Sequence, residues 1–82
     1  MGQEIEEIKK ILLKYNPTIK EALDAGLVES KSIYDLEEFL NVIVNKELNG
    51  IDTLDIVLIV EQLQKLEEKK MRLLKESMEA EE

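Results

Sequence analysis

The sequence predicts an all-α fold, a small helical bundle of three or four helices with a long C-terminal helix, either as a single chain or as a dimeric bundle. Three observations carry that expectation. Apolar residues recur at three- and four-residue spacing through most of the 82 positions. Helix-start chemistry, not strand-and-turn chemistry, stands in front of those stripes. From Ile51 to Glu82 no proline or glycine interrupts the chain.

Each element follows from its own residues. Ile5, Ile8, Ile11, Leu12 and Tyr15 form one stripe, with Glu4, Glu7, Lys9, Lys10 and Lys14 off it, so a helix is expected over 3–15. Asn16-Pro17 restarts the chain, because asparagine caps well and proline at the first helical position loses no hydrogen bond. The second helix is expected over 17–25, with Ile19, Ala22 and Leu23 inward, Gly26 as its left-handed terminator and Leu27 and Val28 as loop contacts. Ser32, followed three residues later by Asp35, opens a third helix over 32–48. Its stripe is Ile33, Leu36, Leu40, Ile43 and Val44, widened by Tyr34, Phe39 and Val42, and Asn49-Gly50 closes it.

The fourth start is the best marked. Asp52 can cap, Asp55 lies at the third helical position, and Ile51 and Ile56 occupy the places of a hydrophobic staple. Both carboxylates also suit the helix dipole. The helix is expected over 53–78, as part of a single domain of residues 1–78, with 79–82 as a frayed acidic tail. One competitor is a hairpin, since Val42-Ile43-Val44 and Ile56 to Val60 are β-branched and flank Asn49-Gly50. The residues beside that turn read as helix ends instead.

The fourth helix changes character along its length. Ile56 to Val60 is apolar all round, which predicts burial on every side. Beyond it Ile56, Ile59, Leu63, Leu66 and Leu73 form a narrow seam with Lys70 intruding, and Val60, Met71, Leu74 and Met78 make a second line beside it. Glu61–Lys65 and Glu68–Arg72 are favourable pairs at four-residue spacing. Self-association through the seam is expected, because two-fold dimers are the commonest oligomers. The alternative is that the first helix lies along the seam and closes a monomeric four-helix bundle.

Composition excludes several functions. The chain has 19 acidic and 11 basic residues, a net charge of −8, and neither histidine nor cysteine. Disulfides, thiolate nucleophiles, histidine bases and zinc sites of the usual ligand types are therefore out. An acidic chain repels phosphate, so direct nucleic-acid binding and anionic membrane surfaces are disfavoured. The longest apolar run has five residues, against roughly 20 for a membrane span. An acidic N-terminal segment and the lack of cysteine make the cytoplasm the expected compartment. Residues 61–75 are locally basic, through Lys65, Lys69, Lys70, Arg72 and Lys75; a solvated face is the simpler reading.

No catalytic, metal or cofactor site is expected. Asp52 and Asp55 are explained as helix-start residues, the acids are placed on outward faces, and no serine or threonine has a base to activate it. The segment from Gly50 through Ile51, Asp52, Thr53, Leu54 and Asp55 to Val60 resembles the Gly-x-Asp-Ser-Leu-Asp segment that opens the second helix of acyl carrier proteins. The resemblance implies Thr53 as the attachment point of a phosphopantetheine arm. Threonine stands there in place of the family's serine, and a charged helix follows in place of a loop and closing helices.

The functional expectation is a small acidic non-enzymatic interaction module (an adaptor, accessory subunit or inhibitor, such as a phage- or plasmid-type regulator) that packs a helix face against a protein partner and forms a homodimer. Its interaction residues are Leu63, Leu66, Lys70, Leu73, Leu74 and Met78. The alternatives are an inhibitor whose acidic surface mimics nucleic acid and blocks a basic groove, and a divergent carrier protein.

Overall fold

In the computed structural model, which describes residues 2–80 and the side chains of residues 2–78, the chain is all-α. Helix α1 spans Gly2–Tyr15, α2 Lys20–Glu29, α3 Ile33–Glu47 and α4 Thr53–Ala80. Single 3-10 turns at Pro17–Ile19 and Leu48–Gly50 make two of the connections. The segment that could have formed a hairpin is helical on both sides of Asn49-Gly50, because α3 continues through Glu47 and tightens into the 3-10 turn.

Local chemistry sets the starts. The Asn16 side chain accepts from the backbone N–H of Thr18 at 3.3 Å, with Pro17 at the first position of the turn. Ser32 accepts from the N–H of Asp35 at 3.3 Å. At the head of α4, the N–H of Ile56 donates to the carbonyl of Asp52 at 2.9 Å, and Ile51 and Ile56 both join the core, as a staple requires.

Helix α4 is the spine. Its 28 residues extend about 42 Å at 1.5 Å per residue, nearly the whole 47 Å long axis of the molecule. Glu4 meets Lys69 and Tyr15 meets Asp55, so α1 runs antiparallel along α4. Glu37 meets Lys70, which lays α3 antiparallel on the adjoining flank. Ile8, Leu12, Leu23, Leu40, Ile59 and Leu66 are fully buried where these helices meet. Helix α2 closes the bundle, tied to α1 by Lys9–Asp24 at 2.7 Å and to α3 by the Phe39 ring.

Several expectations are corrected. Gly26 does not end α2: the helix runs on through Val28 to Glu29, and no described glycine has a positive φ. Gly26 is needed for space, because a Cβ there would lie 2.1 Å from Cζ of Phe39. Ala22 points outward, and Val28 is exposed on the helix rather than tucked into a loop. Tyr34 and Val42 are likewise exposed, whereas Phe39 is half-buried. The run from Ile56 to Val60 is not enclosed: Ile59 is buried, but Val57, Leu58 and Val60 are exposed, because helices of 14 and 15 residues flank α4 on only part of its circumference. Glu4 is buried rather than outward. Helix α4 also takes in Glu79 and Ala80; the remainder of the expected tail, 81–82, lies outside the described residues.

Candidate functional site

Helix α4 presents two faces, and the fold has used one of them. The inner face carries Ile59 and Leu66, with Ile56 and Leu63 half-buried beside them, all packed into the core. It is clamped at both ends by charge. At the head, the Tyr15 hydroxyl donates to Asp55 and accepts from the N–H of Asp52 at 3.4 Å. Lys14 donates to the same carboxylate at 3.2 Å. Donation to Asp55, then burial, pushes the Tyr15 phenol up to about 12, while the Tyr15 and Lys14 contacts lower the Asp55 carboxyl.

Toward the other end, Lys69 pairs with buried Glu4, and Lys70 pairs with Glu37 at 2.7 Å and Glu67 at 3.0 Å. The Lys69 contact draws the Glu4 carboxyl below its ordinary value. Burial, then the neighbouring Glu67 carboxyl, raises Glu37, and Glu67 is lowered correspondingly. One carboxylate oxygen of Glu4 and one of Glu37 are buried without a hydrogen-bond partner.

The outer face is open. Val57 is 55% exposed, Val60 42%, Met71 52% and Met78 65%. Leu74 lies with them, and an open groove lined by Ile56, Val57, Val60, Glu61 and Gln64 runs along the N-terminal half of the face. A second depression, between Ile33, Lys69, Arg72 and Leu73, lies where α3 begins against α4.

The expected interaction residues divide between these faces. Leu73, Leu74 and Met78 are exposed. Leu66 is fully buried and Leu63 half-buried in the core, and Lys70 is held by Glu37 and Glu67, so these three are spent inside the chain. The physical reason is that α1 and α3 both lie along α4, α1 meeting it at Asp55 and Lys69 and α3 at Lys70. Val57, Val60 and Met71 take their place on the open face. Their signal was present in the second line of apolar residues, and it extends back to Val57 once the Ile56–Val60 run is not assumed to be enclosed.

The expected Glu61–Lys65 and Glu68–Arg72 pairs are open; among the described residues the ion pairs within a helix are Lys20–Asp24 and Glu67–Lys70. Of the basic stretch, Lys69 and Lys70 are neutralised by the clamps, and Lys65, Arg72 and Lys75 remain exposed.

Among the described residues no group of three His, Cys, Asp or Glu side chains is placed to hold a metal ion, and no helix is long and apolar enough to cross a membrane. Thr53 is exposed at the first position of α4, followed by unbroken helix to Ala80. The fold and this surface together define a class: a small all-α bundle built on one long helix, packed on one side and open on the other. Compared with known protein families, curated proteins and solved structures, the chain matches none.

Proposed function

We propose that this chain is a non-enzymatic protein-interaction module whose working surface is the outer face of α4. One observation carries the reading: Val57 and Val60, then Met71, Leu74 and Met78, stay open along one line of a helix whose opposite face is already packed, with Gln64 and Glu67 between the two apolar groups. Exposed apolar patches of this kind, bordered by charged residues, mark interaction sites on proteins. Its mechanism is helix-face packing, in which Val57, Val60, Met71 and Leu74 supply apolar anchors and Glu61, Lys65, Glu68 and Arg72 steer the encounter. The reading covers an adaptor, an accessory subunit or an inhibitor, since each works by the same contact.

Site-specific photocrosslinking tests it. A benzophenone side chain is placed at Val60 or Met71, and in a control at Glu38 on the solvent side of α3, in extract of the protein's own cells. Covalent adducts are expected from the two α4 sites and not from the control. Absence of adducts at Val60 and Met71, or equal yield at all three positions, would sink the proposal.

A further inference from the structure

We propose that the outer face of α4 takes the same face of a second copy of this chain, the two helices running antiparallel in one register. This rests on the reading of that face as the working surface. Positions 57, 60, 64, 67, 71 and 74 alternate in steps of three and four, the seam of a two-stranded coiled coil. Spacing alone allows several registers, and polarity selects among them.

When Val57 faces Leu74 of the second copy, Val60 faces Met71 and Gln64 faces Glu67, and the two-fold axis repeats each contact. Apolar residues then meet apolar residues at both ends. At the centre the Gln64 amide donates to the Glu67 carboxylate, which Lys70 of its own chain touches through one oxygen at 3.0 Å; a carboxylate has acceptor sites for both. Sliding one heptad in one direction sets Gln64 against Leu74 and Glu67 against Met71. Sliding the other way sets Gln64 against Val60 and Glu67 against Val57. Both shifts set Gln64 and Glu67 against apolar side chains, with no polar partner across the seam. A parallel, in-register pair stacks Glu67 on Glu67, a like-charge contact.

Charge on the flank agrees with the same register. Glu61 and Lys65 of one copy come beside Glu68 and Arg72 of the other, two acids and two bases in a neutral cluster. All four side chains are exposed, and none forms an ion pair within its own chain among the described residues. The clamps on the inner face have used Lys69 and Lys70, which leaves this alternating set free on the outer flank.

Because the chain has no cysteine, single cysteines report the register directly. Full-length Val60→Cys and Met71→Cys proteins, each checked for helix content by circular dichroism, are mixed, oxidised and analysed by intact mass. The mixed disulfide is expected to exceed either symmetric disulfide at least tenfold. A second mixture, Val57→Cys with Leu74→Cys, reads the same register from another layer, should either variant of the first fail to fold. Symmetric disulfides in excess, a statistical mixture, or no disulfide at all would overturn the proposal. If photoadducts at Val60 join a different protein while the cysteine mixtures stay unlinked, the interaction surface stands and its occupation by a second copy does not.

Discussion

Tyr15 joins two helix ends with one hydroxyl, donating to Asp55 and accepting from the N–H of Asp52. Its phenol is raised from 10.0 to about 12, first by that donation. A raised folded value means that the stabilisation is complete below pH 10.0 and is lost as pH rises through about 12. In a Tyr34→Phe protein, Tyr15 is the remaining tyrosine, and its ultraviolet titration should centre near 12; a midpoint near 10.0 would show the latch does not form. The carboxylates act at the acid end with two signs. Glu4, Asp24, Asp55 and Glu67 are lowered by their hydrogen-bonded partners, so their contributions are present above the ordinary 3.8–4.5 and lost as pH falls through their folded values. Glu37 is raised above 4.5 by burial, so its contribution is complete below 4.5 and is lost as pH rises through its folded value. The urea midpoint is therefore expected to rise as pH drops from 7 toward 4.5 and to fall below that, and Glu37→Gln should flatten the rise. A wild-type midpoint that declines steadily from pH 7 contradicts this assignment.

At the scale of elements, α2 and α3 touch through a missing side chain. Alanine at position 26 would improve helix propensity by about 1 kcal/mol, yet its Cβ would meet three Phe39 ring atoms at 2.1, 2.2 and 2.7 Å. Overpacking of this kind costs about 1–3 kcal/mol. Gly26→Ala should thus lower stability in chemical denaturation, and the loss should shrink when Phe39→Ala makes room; a stabilised Gly26→Ala protein would contradict the packing. The two faces of α4 should differ in the same way. Leu66→Ala is expected to cost about 2–5 kcal/mol, whereas Val60→Ala leaves the isolated bundle within about 0.5 kcal/mol. Equal losses from the two substitutions would mean that the faces are misassigned. These helices were legible in the sequence because their starts are local: Ser32 with Asp35, Asn16 with Pro17, and the staple of Ile51 and Ile56 need only neighbours along the chain. What was not legible depends on approach between helices. Nothing along the chain shows that Phe39 lies over Gly26, that Glu4 is buried beside Lys69, or that the core takes in Leu63 and Leu66 while Val57 and Val60 stay open. Lys70, read as an intrusion in an apolar seam, is instead the cation that pairs Glu37 and Glu67.

For the whole molecule, the decisive feature is that one 28-residue helix is longer than the helices packed on it, of 14 and 15 residues, and is covered by them on only part of its circumference. A chain of 82 residues has a marginal core, of a size that commonly depends on association or other support. Covering the outer face of α4 would supply that support and would shelter Val57, Val60, Met71 and Leu74 from water. In the proposed pair, the inner face would hold each chain together and the outer face would hold two chains to each other. Light scattering across a concentration range, on the full chain and on a Val60→Glu, Met71→Glu double variant, tests that division of labour most directly. The full chain is expected to reach twice its 9.5 kDa mass, and the variant to stay monomeric with its helix content retained. A full chain that remains monomeric at every concentration, or a double variant that still doubles its mass, would contradict that division.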